Sequence, residues 1–159
     1  MAGPDLPGRP DSSTRPDLSA SPGSCVAALD LGTKRIGVAV SDELLLTSRP
    51  LGVISCVGPR RDAKALREMF AGRDVSLLVM GLPLLDSGDE GESARRARAQ
   101  GDDLARRAGI RHEYIDESDT TLEAQRILRD GRSDAPVDAL AAALILEEWI
   151  QRRRRSAGE

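Results

Sequence analysis

The sequence predicts an α/β fold, a five-stranded mixed sheet with helices on both faces. Three observations predict it. Two strand-length apolar runs, Cys25–Leu31 and Arg35–Ser41, are separated only by Gly32, Thr33 and Lys34, and so short a turn forces antiparallel pairing. Further on, strand-like runs alternate with segments of helical period, and strand–helix–strand units imply parallel pairing. Near the end, apolar side chains recur at i, i+3, i+4, i+7, i+8 and i+12 from Val137 to Trp149, one stripe of an amphipathic helix.

The elements follow in order. Residues 1–24 are rich in Pro, Gly, Ser and Asp and carry no periodicity. They are expected to form a disordered lead-in, because they cannot bury enough surface to order themselves. Cys25–Leu31 suits a buried strand, Arg35–Ser41 its hairpin partner, and Arg49–Cys56 a third strand. Pro59–Gly72 places Ala63, Leu66 and Phe70 at helical spacing. Ser76–Met80 is an apolar strand that ends at Gly81. Ser93–Ala108 puts Ala94, Ala97, Leu104, Ala105 and Ala108 on one helical face. Arg111–Ile115 is a short strand, and Thr120–Arg129 a helix stopped by Gly131. The last helix is expected to be capped by Ser133 or Asp134, with Pro136 in its first turn. The folded domain thus spans residues 25–152, ahead of a basic flexible tail over 153–159.

Only 2% of residues are aromatic, so the core must come from Leu, Val, Ile and Ala. The net charge of -3 argues against a general nucleic-acid coating protein, which carries a basic excess. A nuclease is compatible with it, because such an enzyme needs only a local basic path and its metal-binding acids lower the net charge. No stretch approaches the roughly 20 apolar residues of a membrane span, and no apolar signal core stands at the N-terminus. A cytoplasmic protein with no membrane attachment is expected. Cys25 and Cys56 have neither CxxC nor zinc spacing and are expected to be free thiols.

Phosphodiester hydrolysis needs an activated water and charge neutralisation at the leaving oxygen, which two divalent ions can supply. Hard ions such as Mg²⁺ take carboxylate oxygens, so acids at strand ends and helix starts are the candidates. Asp30 ends an apolar run, where an unpaired carboxylate is costly; it is either a metal ligand or a cap of the Gly32 turn. Glu117 follows the strand ending at Ile115, where acids commonly face a ligand crevice. Its neighbour Asp116 points the other way if the strand continues, and Asp119 suits a helix cap. Asp138 stands in the first turn of the last helix, where the helix dipole alone would favour it; the small Ala139, Ala141, Ala142 and Ala143 also permit an inward-facing role. His112 is the sole histidine and lies at a polar strand edge, a poor place for a general base. No GxxxxGK[ST] phosphate loop is present.

The run Ala28-Leu29-Asp30-Leu31-Gly32-Thr33-Lys34-Arg35-Ile36-Gly37-Val38-Ala39-Val40-Ser41-Asp42 resembles the opening motif of the YqgF/RuvX proteins, described as Holliday-junction-resolvase-like nucleases and as pre-16S rRNA nucleases. Gly81-Leu82-Pro83-Leu84, followed by Gly91 and a basic Ala-rich helix, resembles that family's middle. Val137–Leu146 resembles its last helix. The resemblance covers about Val26 to Gln151. It implies a ribonuclease H-like fold and a shared metal site at Asp30, Glu117 and Asp138 for Mg²⁺ or Mn²⁺. It also implies a role in maturing the 5′ end of small-subunit ribosomal RNA. The chain departs from the family pattern at Ser118 and Asp119, where relatives carry Arg and Leu.

Thr33, Lys34 and Arg35 of the turn are the expected substrate contacts, with Arg95 at the start of the middle helix. With so few aromatics, recognition of structured RNA or branched DNA should rest on phosphates and shape. A monomer or weak homodimer is expected. Two other readings compete. Asp30-Leu31-Gly32-Thr33 also resembles the phosphate loop of sugar kinases and actin-like ATPases, but those need two lobes where this chain supplies one. A non-catalytic RNA-binding assembly factor is the other, against which the three retained acids speak.

Overall fold

β1 (Cys25–Leu31) holds the middle of the sheet because all its residues but Asp30 are buried, a burial that only a strand covered on both faces achieves. In this computed structural model, residues 23–117, 126–127 and 130–158 are described, without the side chain of Glu117. β2 (Arg35–Ser41) pairs antiparallel with β1, and β3 (Ser48–Ser55) antiparallel with β2. β4 (Val75–Pro83) lies parallel to β1 on its other side, and β5 (Arg111–Glu117) parallel to β4. The order is β3-β2-β1-β4-β5, the five-stranded mixed sheet expected from the sequence. Pro50 falls on β3, an edge strand, where a missing N–H costs no ladder bond.

Strand alternation divides the core into two layers. Ala27, Leu29, Ile36, Val38, Leu78 and Met80 face α1 (Pro59–Met69) and α2 (Glu92–Ala108). Val26, Ala28, Ala39, Leu77, Val79 and Ile115 face α3 (Val137–Ala157). A glycine brings a helix close on each side. A Cβ at Gly101 of α2 would collide with Met80, Tyr114 and Leu31. A Cβ at Gly37 of β2 would fall inside the Asp138 carbonyl and the Ala139 nitrogen at the start of α3. Residue 37 thus sets how near the last helix can lie to the sheet.

α3 departs from the sequence expectation in three ways. Pro136, not Ser133 or Asp134, stands at the N-cap, without a side-chain cap; the Ser133 hydroxyl instead accepts from the Ala135 N–H at 3.1 Å. The expected single stripe is split. Leu140 and Ala141 pack with Ile127, Val137 and Leu144, whereas Ile145 and Trp149 pack on the sheet with Ala142, Leu146 and Ile150. The helix is covered on two sides, so its apolar surface is wider than one seam. Nor do residues 153–157 form a flexible tail: the helix runs through them to Ala157. Arginine is a good helix former, and each cation of that last stretch has a contact. Arg152 and Arg155 pair with Glu148. Arg153 lies 5.4 Å from the Trp149 ring centroid. Arg154 donates to the Leu45 and Leu46 carbonyls at the tip of the β2–β3 hairpin, at 3.3 and 3.4 Å. That tip includes Leu45 at φ 54, an unfavourable backbone for a leucine, with its side chain packed against the α3 layer.

Residues 1–22 of the expected lead-in lie outside the described residues, whereas Ser24, also placed in it, is buried and its hydroxyl donates to Ser76 Oγ at 2.9 Å. Ser118, Asp119 and most of the helix expected over Thr120–Arg129 also lie outside the described residues. Cys25 and Cys56 are free thiols. Among the described residues no helix is long and apolar enough to cross a membrane.

Candidate active site at the carboxyl ends of the central strands

β1, β4 and β5 all run in one direction, so their carboxyl ends share one edge with the start of the antiparallel β2. Asp30 is the sixth residue of β1. The alternation that places Val26 and Ala28 in the α3 layer gives Asp30 the same face, half-buried. Its cross-strand neighbour is Gly37. The space that a side chain would fill at Gly37 is taken by the backbone of Asp138. The backbone of Asp138, 108 residues from Asp30 in sequence (138 less 30), therefore lies over the strand position beside Asp30, because Gly37 has no side chain.

Arg35 completes this corner. It begins β2, two residues before Gly37 and so on the same face. Its Nε donates to Asp138 Oδ2 at 2.8 Å. The arginine side chain is 59% exposed and the aspartate 27%, so solvent screens the pair and its worth is at most about 1 kcal/mol. Asp138 is also the second residue of α3, where the helix dipole adds positive potential. The dipole explanation of this acid is therefore incomplete: its carboxylate is drawn to a cation from another element.

The backbone of Glu117 ends β5 and pairs with Pro83 at the end of β4. Two strand spacings separate β5 from β1, about 10 Å across the sheet. Its side chain lies outside the described residues.

The turn residues divide. The Gly32 N–H donates to the Arg35 carbonyl at 2.9 Å and closes the turn. From the other face, Gln100 Nε2 donates to the Gly32 carbonyl at 3.1 Å. Thr33 lines a cavity of about 380 Å³ on that second face, with Ile36, Cys56, Asp62 and Gln100. It is thus turned away from the acids. Lys34 is exposed beside Arg35. Arg95 lies on α2 across the sheet from Asp138, its Nη1 on the Glu90 carbonyl at 3.5 Å, and no described contact joins it to Asp30 or Asp138. His112 stands near the start of β5, at the opposite end of the sheet, with Nε2 2.7 Å from Asp102 Oδ1. Burial pushes the Cys25 and Cys56 thiols up, which keeps them protonated and unreactive.

The donor set bears on which ion the corner could take. Asp30 and Asp138 offer hard carboxylate oxygens, the chemistry of Mg²⁺ and Mn²⁺ rather than of thiophilic ions. The Arg35 guanidinium already on Asp138 shows that positive charge is accommodated there. Among the described residues, which leave out the side chain of Glu117, no three acids, imidazoles or thiols gather tightly enough to hold an ion. Sequence reasoning singled out Asp30 and Asp138 but not Gly37. A glycine inside a β-branched strand, a known mark of close backbone approach, was the available signal.

The family described as "RuvX: Holliday junction resolvase" matches residues 24–152. A relative in Anaeromyxobacter sp. (strain Fw109-5), named "Putative pre-16S rRNA nuclease", is 42% identical over 130 residues, covering 79% of this chain and 95% of that one. A relative of the same name in Koribacter versatilis (strain Ellin345) is 37% identical, covering 80% of this chain and 87% of that one. Among solved structures, "T. thermophilus RuvC in complex with Holliday junction substrate" superposes with a TM-score of 0.49 at 17% identity, over 82% of this chain and 96% of that one. The matched span takes in every strand of the sheet and both acids of the corner, and the chain belongs to the RuvX family.

Proposed function

We propose that this chain is a metal-dependent nuclease that hydrolyses phosphodiester bonds in structured RNA, in the cytoplasm, during 5′-end processing of pre-16S ribosomal RNA. The observation that carries the reading is the close approach of the Asp138 backbone to Gly37, the cross-strand neighbour of Asp30, beside an exposed basic turn. The names of the relatives support the RNA substrate. Glu117 is proposed as the third acid, since its place in β5 has the parity of Ile115, which faces the α3 layer.

Divalent ions, Mg²⁺ or Mn²⁺, would be held by Asp30, Asp138 and Glu117 and would supply Lewis acidity at the scissile phosphate. The residues of the chain do the rest. The acids concentrate negative charge at one sheet edge and fix where the phosphate can sit. Lys34 and Arg35 draw the substrate backbone to that edge, and the arginine can fork onto two phosphate oxygens. Water attacks phosphorus as the bond to the leaving oxygen breaks, and the proton lost by the water leaves to solvent or to a neighbouring carboxylate.

The test is cleavage by the purified full chain with Mg²⁺ or Mn²⁺, on a structured pre-rRNA fragment and on a four-way DNA junction. Cleavage of the RNA that is lost in Asp30→Asn and in Glu117→Gln supports the reading. Cleavage of the junction alone would move the substrate to branched DNA, and cleavage of neither would leave a binding protein.

A further inference from the structure

We propose that Arg35 is a placeholder cation on Asp138: it occupies the carboxylate until a divalent ion takes that place, and the freed guanidinium then closes on the substrate phosphate. The inference rests on the metal-dependent reading above and adds to it a residue that couples metal loading to substrate grip.

Three observations carry it. The contact is single, Nε to Oδ2 at 2.8 Å, rather than the two-pronged pairing of which arginine and carboxylate are capable. The two terminal nitrogens of Arg35 make no hydrogen bond among the described residues, so the fork that suits a phosphate stays open. The pair is also accessible, with the arginine 59% exposed; an ion can reach Asp138 from solvent, and the long side chain can swing away without unpacking anything.

The consequence for ion binding has one sign. In the ion-free protein Arg35 competes for Asp138, and its charge repels an arriving cation. Removing the guanidinium relieves both effects, so the vacated site should bind an ion more tightly although a polar contact has been lost. By reciprocity, the ion must weaken the hold of Asp138 on Arg35. A purely structural ion pair predicts neither result.

The experiment is calorimetric titration of Mg²⁺ alone into the full chain, wild type, Arg35→Gln and Arg35→Lys, without nucleic acid. Arg35→Gln is expected to bind Mg²⁺ about 3- to 10-fold tighter, the range of a screened pair plus relief of repulsion, and Arg35→Lys, which keeps the charge, to fall between. In parallel, the Arg35 Nε–Hε resonance of the wild type should move on Mg²⁺ saturation towards its position in Asp138→Asn. Unchanged or weaker Mg²⁺ binding by Arg35→Gln overturns the proposal, as does a resonance that stays in place at saturation. If Mg²⁺ binds to none of the three proteins, the metal-dependent reading fails and this inference with it; binding of equal strength in all three removes the inference alone.

Discussion

Replacing Asp138 by Asn keeps the side chain's volume and removes its charge. Cleavage should fall by at least about 100-fold, the loss typical when one charge-stabilising group is removed from an active site. Stability should fall by no more than about 1 kcal/mol, because the Arg35 pair is screened. A variant of full activity and lowered melting temperature would make this acid a helix-dipole residue only. Gly37→Ala is the harsher change. Its methyl group would fall on the Asp138 carbonyl and the Ala139 nitrogen, backbone atoms that cannot turn aside. It should cost about 3 kcal/mol, the upper range for overpacking, and should reduce activity even where the protein stays folded; chemical denaturation and a cleavage assay read the two effects. The acids were legible in the sequence as residues, since each stood at a strand end or helix start. Their shared site followed only from the family resemblance and not from the residues themselves, because the approach of Asp138 to the sheet depends on a pairing between residues 35 and 138 and on an absent side chain.

The secondary-structure elements were legible to different degrees for physical reasons. The β1–β2 hairpin was plain from its turn length. α1 and α2 each bury one face, so their periodicity showed directly. α3 carries two apolar faces, and the regular spacing from Val137 to Trp149 hid a change of partner between Leu144 and Ile145. Its end was placed too early because a run of four arginines looks like a solvated tail. In the folded chain Arg153 lies over Trp149 and Arg154 reaches the hairpin tip. Truncation after Arg152 should therefore destabilise the protein by about 1–2 kcal/mol, from one cation–π contact and one charged hydrogen-bond donor. Urea denaturation of the shortened chain checks this, and an unchanged midpoint would mean that the last turn adds nothing.

At the scale of the whole molecule, acid and alkaline stability meet in one cluster. The Tyr114 hydroxyl bonds to Asp102, and His112 and Arg98 lie beside them. The Tyr114 hydrogen bond, with His112 second, holds the Asp102 carboxyl below its ordinary value of 3.8. A depressed carboxyl stabilises the fold above that value and loses the contribution as pH falls through its folded-state value. Burial first, and Asp102 second, push the Tyr114 phenol above its ordinary 10, so its contribution is complete below pH 10 and is lost as pH rises beyond it. Tyr114→Phe should flatten the stability profile at both extremes, below about pH 4 and above about pH 10, as read by melting temperature across pH; a parallel downward shift at every pH would indicate lost packing alone. The mixed sheet and its two helical layers were predictable because strand and helix periods differ so clearly. The two clasps on α3 were not. Arg35 of β2 holds its first turn, and Arg154 in its last reaches the tip of the same β2–β3 hairpin. With about 24 Å of helix between Asp138 and Arg154, α3 is a rod pinned at both ends. A rod pinned once can pivot, and a tilt of about 5° over that length sweeps the free end through about 2 Å. Misplacement by about 1 Å can cost about 100-fold in rate. The hairpin tip, at the far side of the molecule from the acids, thereby fixes the aim of one of them.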